Sequence, residues 1–277
     1  MADKLADETL HEVLALVLDV PDNDFSDIFG AYFSPFARRQ YSTSDALLVC
    51  KRWLLVGTPL LYDTVVLRSV AQSQSLAKAL SKNPAFAPYL KKLRIEGGFG
   101  ASVGRILNAT TALSDLHRSL DLNSKDSVAS MCDALSAVNP TRLILTGPRR
   151  PNANVIKTMK SIQTASVSWS KLTILVMAAR LFVWPLTEEV FQIETILTAH
   201  VRGCMSDFEL HHVENIFSKW PQCTFHIDTA DEGVIAGSPM RQASFAVQRK
   251  IWTLVSATFS AGCTTAPTTF LFEARSP

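Results

Sequence analysis

The chain has 277 residues, 47% of them hydrophobic and 19% charged, with a formal net charge of +2. That supplies enough apolar material for a substantial core, which excludes an intrinsically disordered chain and suits one large domain or a small module followed by a larger one. The basic pairs Arg38-Arg39, Lys91-Lys92 and Arg149-Arg150 are scattered, with no interleaved aromatic stripe, so they read as solvated surface and no nucleic-acid partner is expected.

In chain order, the first predicted helix begins near Leu5 and carries Leu10, Val13, Leu14, Leu16, Val17 and Leu18. Asp19 to Ser44 follows, with Pro21, Gly30, Pro35 and several Asp and Ser residues. Its aromatic residues Phe25, Phe29, Tyr32, Phe33 and Phe36 make it too apolar for a free linker, and it is expected to fold back on the flanking helices. Asp45 to Leu67 then changes period. Leu47, Leu48, Cys50, Leu54 and Leu55 place apolar groups on more than one side of a helix, and Trp53 adds a large ring. Pro59 is expected to end that helix near Gly57, and Thr64-Val65-Val66 reads as a strand. An ordinary core helix followed by a core strand would give the same periodicity.

The order of residues narrows this choice. Val49-Cys50-Lys51-Arg52-Trp53 followed six residues after Trp53 by Pro59-Leu60-Leu61-Tyr62 resembles the second half of an F-box. Leu5-Ala6-Asp7-Glu8-Thr9-Leu10 resembles its first half, L-P-x-E-[IVL]-L, with Ala6 where the family has a proline suited to a first helical turn. Residues 19–44 stand where most F-boxes have a short link, and a fungal group of F-box-like proteins is similar in tolerating such an insertion. The resemblance implies a module over residues 1–63 that docks on a Skp-type adaptor of a cullin ubiquitin ligase. It implies Leu5, Leu10, Leu14, Leu47, Leu48, Cys50, Trp53, Pro59, Leu60 and Leu61 as the adaptor-binding residues. A degenerate repeat domain over residues 64–277 would bind a target protein whose identity is unknown.

The remainder shows a repeat. Strand-like clusters begin near Val66, Leu93, Leu116, Leu143, Leu172, Ile196 and Phe225, at intervals of 27, 23, 27, 29, 24 and 29 residues, within the range of leucine-rich repeats. Helical patterns lie between them: Ser73 to Leu80; Val103, Ile106 and Leu107; Val128, Met131, Cys132, Leu135 and Val138; Val155, Ile156, Met159 and Ile162; and Asp207 to Trp220. The fold class expected is α/β: a small helical F-box-like module, then an irregular leucine-rich-repeat-like solenoid with a parallel sheet. The repeats lack the regular Asn of the consensus, so a parallel α/β sheet of another kind is the alternative. Phe245, Trp252, Val255 and Phe259 suggest a capping helix, and Thr264 to Pro277 reads as loose.

Gly100-Ala101-Ser102-Val103-Gly104 satisfies G-x-S-x-G between a strand and a helix, the setting of a hydrolase nucleophile elbow. In that reading Ser102 attacks an ester carbonyl, Asp207 orients His226 as base, and the Val103 N–H serves the oxyanion. Gly97 and Gly98 blur the sharp turn and no H-G segment precedes it, so a glycine-rich turn in a repeat is the reading adopted, and the chain is not expected to be an enzyme. In that turn the Ser102 hydroxyl is expected to cap the following helix. No Lys-Ser/Thr pair follows the glycines, which rules out a P-loop.

Five cysteines, Cys50, Cys132, Cys204, Cys223 and Cys263, form no C-x-x-C pair and read as reduced thiols. Zinc spacings are absent and the adjacent His211-His212 would diverge on a helix, so neither a metal nor another cofactor is expected. The amino terminus carries acids where a secretory signal has a basic region, and the apolar run Leu172 to Leu186 contains Arg180 and Pro185 and is too short to span a bilayer. A cytoplasmic or nuclear protein with no membrane partner is expected. The function expected is a non-catalytic substrate receptor; the alternative is a repeat scaffold whose F-box-like part is only a structural cap.

Overall fold

Alternation of period two in Lys92-Leu93-Arg94-Ile95 and Asp115-Leu116-His117-Arg118-Ser119 puts Leu93, Ile95 and Leu116 on one side of a sheet and Arg94 and His117 on the other. In the computed structural model these runs are strands β2 (Lys92–Ile95) and β3 (Asp115–Ser119), flanked by β1 (Thr64–Leu67) and β4 (Arg142–Thr146). The structure describes residues 5–28, 34–38, 43–147, 152–178, 181, 195–202, 223–228 and 269–272. It divides into two compact units, Met1–Leu172 and Thr173–Pro277, so residues 1–63 belong to the same unit as β1 to β4.

In the first unit the four strands are parallel and in sequence order. Val66, Arg94, His117 and Ile144 fall in one row across them, and Leu67, Ile95, Arg118 and Leu145 in the next. Parallel neighbours need crossovers, supplied here by α4 (Val70–Lys82), α5 (Ala101–Ala109) and α6 (Ala129–Ala134), with α7 (Ala153–Ser166) after β4. A constant crossover hand sets these helices on one side of the sheet, where α4, α5, α6 and α7 pack each on the next. Leu93, Ile95, Leu143 and Leu145 are fully buried, as are Ile106 and Leu107 of α5 and Val155 and Ile162 of α7. Ser69 caps α4 by accepting the Gln72 N–H, and Asn152 caps α7 by accepting from Asn154 and Val155. Asn152 Nδ2 also donates to the Leu122 carbonyl at 2.6 Å, tying α7 to the loop after β3.

The second unit contains β5 (Ile174–Ala178), β6 (Thr198–Arg202) and β7 (Thr224–Asp228), again parallel. β8 (Thr269–Phe272) pairs antiparallel to β7, so part of the tail read as loose is a strand. The expected helices at Asp207 to Trp220 and around Trp252 lie outside the described residues. Among the described residues no helix is long and apolar enough to cross a membrane.

Ahead of the strands, α1 (Asp7–Leu18) opens with Asp7 and Glu8, favourable at the positive end of its dipole. It buries Leu10, Leu14 and Leu18 against Leu47, with Trp53, Val56, Leu60 and Leu61 packed around them. The single helix expected over the V-C-K-R-W motif is instead two pieces. Thr43–Leu48 form a 3-10 helix, Cys50 is extended, and α3 runs from Lys51 to Asp63. Nor does Pro59 end α3: it forfeits the bond to the Leu55 carbonyl, yet Leu60 and Leu61 are held against the α1 cluster and packing carries the helix a further turn. Gly57 is the point of closest approach, because a Cβ there would collide with Leu47 Cδ2 and lie 3.2 Å from Leu14 Cδ1. Gly57→Val should therefore force α3 off α1 and lower unfolding free energy by about 2–3 kcal/mol, read by chemical denaturation, although valine is the better helix former.

Candidate functional site

Two surfaces of the first unit carry chemistry beyond core packing. The first is on the amino-terminal helices. After α1 has turned Leu10, Leu14 and Leu18 inward, Val13, Leu16 and Val17 remain on an outer stripe, with Leu16 87% exposed. Leu48, Val49, Leu54 and Leu55 do the same on the 3-10 turn and α3, Leu48 at 79% and Leu55 at 76%. Arg52 links the two helices by an ion pair to Asp7 at 2.7 Å, and it also donates to the Leu5 carbonyl.

The residues assigned to adaptor binding by resemblance thus separate into two groups. Leu10, Leu14 and Leu47 are core, at most 3% exposed, and Trp53, Leu60 and Leu61 pack partly buried around them. Leu5, Leu48 and Cys50 are exposed, and Pro59 is half-buried. Exposed as well, though outside that assignment, are Val13, Leu16, Val17, Leu54 and Leu55. The available signal was that six apolar positions in α1 exceed what one buried stripe can hold.

The second surface is the polar side of β2 to β4, and residues 22–28 and 34–36 make contacts there. The expectation was that this segment folds back on the helices; its polar anchors lie on the strands instead. α2 (Asp22–Phe25) sets the Phe25 ring, fully buried, edge-on to His117 with ring centres 5.9 Å apart. Arg94 Nη1 donates to the carbonyls of Asp24, Phe25 and Asp27 at 3.0, 2.8 and 3.0 Å, while its Nε donates to Glu96 at 2.6 Å. Asp22 receives Arg142 through both carboxylate oxygens, with Lys92 Nζ 3.6 Å away. Further along, Ser34 donates to Glu96 at 2.8 Å, Arg68 donates to the Phe36 carbonyl at 2.9 Å, and the Phe36 ring lies 5.4 Å from the Arg94 guanidinium.

Each charge on this face responds to its neighbours. The bond from Arg142 holds the Asp22 carboxyl below its usual range against the opposing effect of partial burial, and the same bond raises Arg142. Burial lowers Arg94, opposed by the Glu96 carboxylate. His117 is fully buried with Nδ1 2.6 Å from the Phe25 carbonyl oxygen, which can only accept, so Nδ1 carries the proton and donates. Burial, reinforced by the Arg94 charge, pushes the imidazole well below its ordinary pKa, with the Phe25 bond opposing. On the opposite side of β3, Arg118 is 1% exposed and donates to the carbonyls of Ile95 and Gly97; burial lowers it to about 10, so it stays charged near neutrality.

The G-x-S-x-G segment forms the strand-to-helix turn between β2 and α5, with Gly100 at φ +68°, a left-handed value suited to glycine. Ser102 does not cap α5. It lies 4% exposed in the first turn, and among the described residues its one hydrogen-bond partner is Arg105, at 3.2 Å. Asp207 lies outside the described residues, and His226, on β7 in the second unit, stacks on His200 with ring centres 4.5 Å apart.

No protein-family profile matches the sequence, and no curated protein matches it.

Two measurements probe these sites. Because the folded pKa of His117 lies below the unfolded value of about 6.5, the unfolded chain takes up the proton first as pH falls. Stability on this account is full above about pH 6.5 and is lost below it, at up to about 1.4 kcal/mol per pH unit, whereas the Asp22 contribution is lost only at lower pH, through its depressed carboxyl pKa. His117→Asn keeps an N–H near Nδ1 without the titration, so denaturation at about pH 7.5 and 5.5 should show a smaller loss than in the wild type. For Ser102→Ala, we expect about 1 kcal/mol of destabilisation or less and no change in activated-ester turnover; Ser102-dependent turnover would restore the hydrolase reading.

Proposed function

We propose that this chain is a non-catalytic substrate receptor of a cullin-type ubiquitin ligase, docking on a Skp-type adaptor through α1, the 3-10 turn and α3, and holding a target protein on a solenoid of strand-helix repeats. One observation carries the reading: the elements bearing the F-box-like motif have a closed inner cluster and still expose Leu16, Leu48, Leu54 and Leu55 to solvent. A helix pair serving only as a cap would turn its large aliphatic groups inward and leave polar ones outside. The cap reading draws on Leu10, Leu14, Leu47 and Trp53, all turned toward the module's own core. The two readings therefore differ in what the outer residues do, not the inner ones.

For the repeats, support comes from four consecutive parallel strands joined by helices that pack each on the next. Such a receptor makes and breaks no bonds. Holding a target lysine beside a ubiquitin thioester converts a bimolecular encounter into an effectively intramolecular one.

Purified chain should bind a Skp-type adaptor, and Leu48→Asp with Leu55→Asp should weaken binding at least about 100-fold at unchanged melting temperature, since burying unpaired carboxylates in an apolar interface costs several kcal/mol. Trp53→Ala is unsuitable for this purpose, because its ring packs on the α1 cluster and the variant would report on folding. Adaptor binding unaffected by the double substitution would place the docking surface elsewhere, and absence of wild-type binding would favour the cap.

A further inference from the structure

The contacts that hold residues 22–28 to the sheet are those by which a protein recognises a peptide. Arg94 and His117 read main-chain carbonyls, which any extended or turning segment can offer. Selectivity comes from two side chains three residues apart: Asp22, gripped through both oxygens by Arg142, and Phe25, seated edge-on to His117 with its ring 5.9 Å from the Arg142 guanidinium. The face carries Lys92 and Arg94 on β2 and Arg142 on β4, with Glu96 paired to Arg94 and Asp115 paired to Arg142, and the segment is acidic, with Asp22, Asp24 and Asp27 in six residues.

We propose that the polar face of β2 to β4 is a recognition surface for a segment of a partner protein bearing an acidic residue followed three positions later by a large aromatic one, and that residues 22–28 occupy it as an internal competitor. The proposal rests on the receptor reading for the existence of a partner and supplies the chemistry of its target. The target enters as a peptide: its carboxylate meets Arg142 and Lys92, its aromatic ring replaces Phe25 against His117, and its carbonyls take the Arg94 N–H groups. Main-chain capture gives affinity, while the acid and the ring give selectivity. The segment of this chain lowers the fraction of molecules able to bind, and so sets a threshold that a target must exceed.

The test uses the full chain and a fluorescein-labelled peptide copying residues 19–28. Weakening the internal competitor with Asp22→Ala and Phe25→Ala should tighten peptide binding about ten-fold or more relative to wild type. Arg142→Gln added to that variant should abolish the gain, as should a peptide carrying alanine in place of its phenylalanine. Equal peptide binding by wild type and the double variant would overturn the proposal, as would a concentration-dependent dimer of the wild-type chain in place of peptide binding, which would assign the face to a second copy.

Folding is controlled with Leu93→Ala, a fully buried strand position. A melting-temperature drop in the double variant smaller than that of Leu93→Ala fits a segment that undocks before the core melts; an equal or larger drop makes it a fixed part of the core and overturns the proposal. In the unmodified chain, the Phe25 and Ser26 amides should exchange at least about ten-fold faster than those of Leu116 and Ile144, and exchange only through global unfolding would again overturn it. Adaptor binding is not a readout in any of these arms, so a failure of the docking surface on α1 and α3 and a failure of this face are distinguishable.

Discussion

A guanidinium, Arg94, 3% exposed and bound to one carboxylate and three main-chain carbonyls, is the interaction around which the first unit is arranged. Withdrawing a cation from water costs several kcal/mol unless its donors are met. Here no strand residue supplies the carbonyls; they come from a segment some 70 positions earlier in the chain. The sheet therefore cannot present this face dry without residues 24–27 or something that offers the same acceptors. Glu96, shared among Arg94, Arg68 and Ser34, completes the arrangement and links the end of β2 to the residue after β1 and to the segment before the 3-10 turn.

The helices ahead of the sheet follow a different logic. Their inner cluster is small and aliphatic, and Gly57 lets α3 approach it closely. What remains outside is also aliphatic, an arrangement that leaves the module with more apolar surface than folding by itself requires. The polar face of the sheet is thus met by contacts from its own chain, while the amino-terminal helices carry exposed leucines.

Much of the α/β order was legible in the sequence. Leu93-Arg94-Ile95, Leu116-His117-Arg118 and Leu143-Ile144-Leu145 are short, rich in branched residues and followed by helical spacing, and all seven strand-like clusters begin within two residues of a strand of the structure. Helices α4, α5 and α7 were legible for the same reason. Pro59 misled because proline's local preference is overridden where neighbouring leucines are already packed. That residues 22–28 fold back was legible in aromatics such as Phe25, but where they dock was not: the contacts run between main-chain carbonyls and strand residues far away, and neither periodicity nor spacing records such a pairing. β8 was missed because Thr269-Phe270-Leu271-Phe272 is a four-residue run in a tail rich in Thr and Pro. At the outer surface the sequence shows how many apolar residues α1 and α3 carry, but which of them are left over depends on where Leu47 and Gly57 let the helices meet.

Only Asp19, Val20 and Pro21 separate the end of α1 from the start of α2; Asp19 is extended, and the Pro21 ring holds φ at −52°. Three residues of which one is proline make a stiff strut, not a slack tether. Whatever moves α2 off the sheet must then pull on the last turn of α1, where Leu16 and Val17 stand exposed, and whatever fixes that turn must resist the movement of α2. Two ligands acting on the two ends of such a strut are bound by thermodynamic reciprocity: if one changes the affinity of the other by some factor, the second returns the same factor to the first.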